Sequence, residues 1–218
     1  RRLLARGVGI GGRGGLARFL AACAGDRSHA GEHEALALDL LARGADPFGK
    51  NPAGDPPLAL ALRLGWSRLA LALLATGADP NQRDARGLSP LHLACARGDA
   101  ALVKALVRHG ASPEARSPDG QTPLGLALAS GRRELAHWLE WRQWRLPGRP
   151  LQPADLPAAA MVGDRDAVER LLELGLPIDA VDVQGCSALL RAAGGGHAAL
   201  VELLLASGAD VALSACTG

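Results

Sequence analysis

Two histidines near the start of the chain have the spacing of a metal site. His29 and His33 lie four residues apart, with Glu32 and Glu34 beside them, and histidines at this spacing on one helix can bind zinc. Gly31 interrupts the pattern, and we expect this segment to be a loop inserted between two helices. The sequence therefore predicts no metal site here.

Two glycine-rich stretches have the composition of phosphate-binding loops. Residues 44–51 are one residue away from a Walker A loop, and residues 7–12 match a dinucleotide-binding string. A Walker A loop follows a strand and has Ser or Thr after its lysine. Here Asn51 replaces the hydroxyl, Asp46 would repel phosphate, and both stretches should follow helices. We interpret them as turns and expect no cofactor.

Tryptophan and arginine alternate in residues 138–145, a mixture that can stack nucleic-acid bases. Packing explains it better: Trp138 would fill a core position, Trp144 would fill the gap left by a missing glycine, and Trp141 should be exposed. Nucleic acid is therefore not the expected partner. No nucleophile stands in a recognisable setting and no carboxylates converge, so the chain is not predicted to be an enzyme.

The elements that carry these residues recur with a period of 33 residues. Leu-Leu or Leu-Val pairs precede the glycines at 44, 77, 110, 175 and 208, whose intervals are 33, 33, 65 and 33 residues. A fixed period of this length indicates a stack of similar units instead of one globular core. The functional question then concerns a surface more than an active site.

Residues 87–119 show what one period contains. Ser89 is a favourable N-cap and Pro90 suits the first helical position, so a helix should begin there. A second apolar face ends at Gly110, where glycine can adopt the left-handed C′ conformation. Turn-forming residues follow. Each period is therefore two helices and a loop, which we call the finger.

This pattern resembles the ankyrin repeat. Thr122-Pro123-Leu124 and Ser89-Pro90-Leu91-His92 match its helix-opening motif, residues 77–87 match its finger, and Gly196-His197 match its inter-helix pair. The resemblance covers essentially the whole chain and implies an all-α solenoid of stacked helix-turn-helix units with hairpin-like fingers. Counting between finger glycines gives six repeats, at 15–53, 54–86, 87–119, 120–151, 152–184 and 185–217, with residues 1–14 as the tail of a preceding repeat.

The repeat is broken near residues 138–153. Gln143 replaces a terminating glycine, Gln152 replaces a finger glycine, and several prolines follow. We therefore expect a joint at 140–153 that divides the array into two cooperative blocks. Repeat arrays need polar end caps, and neither end has one in view. We interpret the chain as a fragment of a longer array, able to self-associate through its ends.

Composition limits the remaining possibilities. Residues 1–150 hold 21 Lys or Arg against 13 Asp or Glu, whereas residues 151–218 hold 3 against 9. The most apolar stretch, 57–78, contains Arg63 and Arg68, so no membrane-spanning helix is expected. Cys23 and Cys95 occupy the same helix position two repeats apart, which is too far for a disulfide. Unpaired thiols favour a reducing compartment such as the cytoplasm.

The resemblance implies a module that binds a protein partner on the concave face formed by the fingers and first helices. The alternative is a structural spacer or a regulatory arm for a domain outside this sequence. Carried over from the family, with Trp141 added for its expected exposure, the candidate contact residues are Arg86, Leu88, Arg97, Asp119, Gln121, Trp141, Leu151, Met161, Val162, Val183 and Gln184. Apolar side chains at such positions suggest a contact patch, unless the irregular finger covers some of them.

Overall fold

The computed structural model describes residues 12–25 and 29–213, and within them the chain forms twelve α-helices and no β-strand. The helices are α1 Gly15–Cys23, α2 Ala30–Ala42, α3 Pro57–Leu64, α4 Ser67–Ala75, α5 Pro90–Arg97, α6 Ala100–Arg108, α7 Pro123–Ala129, α8 Arg133–Trp138, α9 Asp155–Val162, α10 Arg165–Glu173, α11 Ala188–Gly194 and α12 Ala198–Ala206. An isolated antiparallel bridge joins Val181 and Ser187 across one finger. The all-α prediction is confirmed for these residues.

Side-chain caps and proline define where several helices begin. The Thr122 hydroxyl accepts from the Gly125 N–H at 3.1 Å at the start of α7, and Pro123 follows it at the first helical position. The Asp99 carboxylate accepts from the Leu102 N–H at 3.1 Å at the start of α6. Such caps satisfy backbone donors that have no partner within the helix.

The chain falls into two compact units. Unit 1 ends at Ala136 and unit 2 begins at His137, a boundary that lies within α8. In unit 1, α1, α3, α5 and α7 pack side by side in that order, and α2, α4 and α6 form a second row. In unit 2, α9 packs against α10 and α11, and α11 packs against α12. The prediction of a joint at 140–153 remains a prediction.

The first helices supply much of the buried apolar surface. Phe19, Leu58, Leu91 and Leu156, which share one repeat position, are all buried. Cys23 and Cys95 are also buried, and both are free thiols. Burial raises the pKa of the Cys95 thiol to about 12, so this sulfur stays protonated and unreactive at neutral pH.

The expectation of a loop around His33 is wrong. Helix α2 begins at Ala30, so Gly31, His33 and Glu34 are helical. The Glu34 carboxylate accepts from the Leu69 N–H at 3.1 Å, which ties it to the first turn of α4. A helical glycine costs only about 1 kcal/mol, a cost that packing against neighbouring helices can outweigh. In the part of the chain that the structure describes, no cluster of His, Cys, Asp or Glu could hold a metal ion.

Helix length also bears on the membrane question. Among residues 12–25 and 29–213, no helix combines the length and the apolar character needed to cross a bilayer.

Candidate functional site

The loop that resembles a Walker A motif has its backbone donors occupied. The Asp46 carboxylate accepts from the Phe48 N–H at 2.9 Å, the Gly49 N–H at 3.2 Å and the Gly14 N–H at 3.2 Å. The bond from Phe48 contributes most to lowering the pKa of Asp46, and the other two N–H groups add to it against the effect of burial. A phosphate would need these same donors, so the loop is a turn. Of the dinucleotide-binding string at 7–12, residues 7–11 lie outside the described residues.

In unit 1, a buried aspartate shapes the finger that presents Arg86 and Leu88. One oxygen of Asp84 accepts from the N–H groups of Arg86 and Leu88, both at 2.9 Å. These residues stand on either side of Gly87, whose φ of +77° lets the chain reverse there. Arg86 is exposed and Leu88 is half-buried. The turn therefore sets the positions of both candidate residues.

A second buried carboxylate braces this finger from behind. Asp55 accepts from the Ala85 N–H at 3.0 Å and forms an ion pair with Arg63. Arg63 also approaches the other oxygen of Asp84, at 3.8 Å. Burial alone would raise the pKa of Asp55, but the bond from Ala85 and the Arg63 guanidinium outweigh it and lower the pKa. Asp55 is therefore held as a carboxylate.

The next finger carries Asp119 and Gln121, both exposed. The Ser117 hydroxyl accepts from the Gln121 N–H at 3.1 Å, as Asp84 does for Leu88 one repeat earlier. The carbonyl of Gln121 in turn lies 2.9 Å from the ring of His92 in α5. Arg97 is exposed at the end of α5. Four of the five candidates in unit 1 are thus exposed.

In unit 2, Asp182 has the place that Asp84 has in unit 1. Its carboxylate accepts from the Gln184 and Cys186 N–H groups at 2.8 and 3.1 Å, and Arg191 donates to its other oxygen at 2.7 Å. Burial would raise the pKa of Asp182, but the bonds from Cys186 and Arg191 lower it. Arg191 also donates to the side-chain oxygen of Gln184. This network leaves Val183 fully exposed at the tip of the turn.

Two further candidates lie at the end of α9. Met161 and Val162 are 56% and 45% exposed, immediately before Gly163. The ring of His197 lies over Gly163, with Nε2 3.4 Å from the Met161 carbonyl oxygen. Leu151, in the irregular finger, is half-buried. Unit 2 therefore presents large apolar side chains both at a finger tip and at the end of a first helix.

The tryptophans form a packed cluster. Trp141 has ring centroids 5.8 Å from Trp138 and 5.9 Å from Trp144, and the Arg170 guanidinium lies 5.4 Å from its centroid. Trp144 is buried, as predicted. Trp141, expected to be exposed, is half-buried, because the neighbouring rings and Arg170 cover it. Its indole face is therefore not freely available for stacking on a base.

Arg170 takes over the role of the missing terminating glycine. It is buried, and it donates to the carbonyl oxygens of Glu140 at 2.7 Å and His137 at 2.9 Å. Asp164 holds the following segment, since its carboxylate accepts from the Trp144 N–H at 2.8 Å and from the Ala167 N–H at 3.0 Å. Side chains of α10 and its N-cap thus satisfy backbone groups that a regular turn would otherwise bond.

Sequence reasoning missed the residues that shape the fingers. It did not use the position three residues before each finger glycine. That position holds Asn51, Asp84, Ser117 and Asp182. Each has a side-chain oxygen that accepts from the backbone of its own turn. The 33-residue register, followed at this position, would have identified them as turn residues.

Comparisons with known proteins agree with the repeat geometry. Residues 58–140 match a family model described as ankyrin repeats (3 copies), and residues 156–205 match one described as ankyrin repeats (many copies). No curated protein matches the chain. The two matched stretches contain helices α3–α8 and α9–α12, with the finger turns and inter-helix glycines described above. The chain belongs to the ankyrin repeat family.

Proposed function

We propose that this chain binds a protein partner through its fingers and the ends of its first helices. Ankyrin repeats are generally protein–protein interaction modules. The observation that carries the proposal for this chain is the exposure of Val183, Met161 and Val162 in unit 2. The scaffold requires no apolar side chain at these positions, and exposed apolar groups at presented positions favour a contact surface.

The polar candidates in unit 1 support the same function. Arg86, Asp119 and Gln121 are exposed on turns held by partly buried hydrogen bonds. A rigid turn that presents a side chain loses little conformational entropy when a partner binds. Side chains presented in this way suit recognition better than catalysis, which needs groups that converge on one reacting atom.

The proposal can be tested by selecting peptides from a random library against the immobilised chain. Binders should lose affinity by about tenfold or more for the double variant Val183→Ser, Met161→Ser, because apolar contacts at hot spots contribute about 2 kcal/mol or more. Leu205→Ser is the matched control, since Leu205 is 44% exposed but lies on the second helix α12. Binders that respond only to Leu205→Ser would contradict the proposal.

A further inference from the structure

A cleft of about 650 Å³ lies in unit 1, between the fingers and the ends of the first helices. Leu60, Leu64 and Trp66 form an apolar part of its lining, and Arg63, Arg86 and Arg97 bring three guanidinium groups to it. Apolar walls with a few converging polar groups are typical of ligand sites. Neither the repeat motif nor the expected contact positions required a cleft with this composition.

The three arginines are not equivalent. Arg63 is engaged with Asp55, and its side chain is 27% exposed. Arg86 and Arg97 are exposed, and within residues 12–25 and 29–213 no carboxylate forms an ion pair with either. Asp55 is the acidic residue of the lining. Among the lining residues that the structure describes, the cleft therefore keeps an excess of two positive charges, carried by groups that a ligand can reach.

The scaffold fixes the backbone of Arg86 and the side chain of Arg97. Asp84 fixes the backbone of Arg86 through the bond to its N–H at 2.9 Å. Arg97 lies across Gly65, where a Cβ would collide with its guanidinium, and its Nη1 is 3.5 Å from the Arg63 carbonyl oxygen. The absence of a side chain at Gly65 thus lets Arg97 lie over the end of α3. Such placement lowers the entropy cost of binding.

We propose that this cleft binds an acidic peptide segment of the partner. Its carboxylates would bond Arg86 and Arg97, and a neighbouring apolar side chain would lie against Leu64 and Trp66. A planar guanidinium matches a carboxylate with two parallel hydrogen bonds, and the charges are complementary. The inference rests on the proposed function, because it identifies the chemistry of the partner.

Nucleic acid fits this cleft less well. Tight binding to a nucleic-acid backbone commonly uses about six to ten phosphate contacts, whereas two guanidinium groups are available here. A short acidic segment with an apolar residue uses both the charge and the apolar wall.

The test uses a fluorescein-labelled peptide of glutamates interrupted by leucines, and the same peptide with glutamine in place of glutamate. Fluorescence polarisation should show that the glutamate peptide binds more tightly. Trp66 lines the cleft, so its emission should change on binding. It is the one tryptophan before residue 138, so Trp66→Phe should abolish most of that change. Arg86→Gln with Arg97→Gln should weaken glutamate-peptide binding by about tenfold or more. Arg108→Gln, exposed on α6, is the control for removing a positive charge outside the cleft and should have little effect.

Equal binding of the two peptides, or an equal loss with Arg108→Gln, would overturn the proposal, as would stronger binding of an oligothymidylate. Arg86→Lys keeps the charge but lacks the planar fork, so it should fall between the wild type and Arg86→Gln. Circular dichroism establishes that each variant is folded. If library-selected binders still depend on Val183 and Met161 while the glutamate peptide fails, the cleft inference is wrong and the proposed function stands.

Discussion

The imidazole Nε2 of His92 lies 2.9 Å from the carbonyl oxygen of Gln121, one repeat further along the chain. A carbonyl only accepts, so Nε2 carries the proton and Nδ1 remains an acceptor. Nδ1 lies 3.3 Å from the Ser89 backbone nitrogen and 2.7 Å from its hydroxyl. One buried ring therefore joins the start of α5 to the finger that presents Gln121.

Replacing His92 with phenylalanine keeps a ring but removes both nitrogens. The buried Ser89 N–H then loses its partner, and the Gln121 carbonyl keeps only the bond from the Ser117 N–H at 2.8 Å. The free energy of unfolding should fall by about 1–3 kcal/mol. Urea denaturation measures the change. His137→Phe is the control, because His137 is exposed and should shift stability by only about 0.5 kcal/mol. Similar effects of the two substitutions would show that these bonds contribute little.

Asp55 makes unit 1 sensitive to acid. Its pKa in the folded protein is lowered from the usual 3.8, so the folded state binds fewer protons than the unfolded state near that pH. The stability from Asp55 is therefore present above pH 3.8 and is lost as the pH falls through the lowered pKa. Asp55→Asn should be less stable at neutral pH and should lose less on acidification than the wild type.

The Asp55 prediction is measured by chemical unfolding at a series of pH values from neutral to about pH 3. Asp119→Asn is the control, because Asp119 is exposed on the next finger. Parallel stability curves for the wild type and Asp55→Asn would contradict the expected linkage.

Most of the fold could be predicted from the repeat register. Period, caps and terminating glycines are local signals, and they identified the helix pairs together with the left-handed glycines at 44, 77, 110, 175 and 208, whose φ values lie between +81° and +94°. The register failed where tertiary contacts override local signals. Gly31 lies inside α2 because the packing of that helix outweighs the weak propensity of one glycine.

The site was less predictable, because exposure depends on neighbours distant in sequence. Trp141 follows the register of an exposed position, yet Arg170, 29 residues away, covers its ring. Nothing near Trp141 in the sequence indicates that Arg170 would donate to the carbonyls of His137 and Glu140. The cleft of unit 1 is similarly assembled from residues as distant in sequence as Cys23 and Arg97.

Two inter-helix glycines test whether a side chain that lies over a glycine adds to the cost of replacing that glycine. Gly163 and Gly196 have φ values of +78° and +72°. A Cβ on Gly163 would lie 2.5 Å from a ring carbon of His197. A Cβ on Gly196 would have no atom of the described residues within 4 Å, apart from its chain neighbours. Both alanine variants should lose about 1–2 kcal/mol from backbone strain. Gly163→Ala should lose more in thermal unfolding, since the ring of His197 must also move. Equal losses would mean that this ring shifts without cost.

The final prediction concerns the independence of the two units. Trp144 is buried in unit 2 and Trp66 is buried in unit 1, and they form a matched pair of substitutions. Replacing a buried tryptophan with alanine costs about 3–5 kcal/mol. The stability of a repeat array is the sum of the stabilities of its single repeats and of the interfaces between them, so a weak joint lets one part unfold before another. We expect Trp144→Ala to separate unfolding into two transitions, or to separate two existing ones further.

Amide hydrogen exchange with mass spectrometry can assign each transition to a unit. Trp144→Ala should accelerate exchange mainly in peptides from residues 137–213, and Trp66→Ala mainly in peptides from residues 29–136, because each cavity destabilises the unit that surrounds it. If either variant accelerates exchange equally in both units, or lowers one sharp transition without broadening it, the chain unfolds as one cooperative body. The joint predicted at 140–153 would then be an ordinary repeat interface, and the two-block model would be wrong.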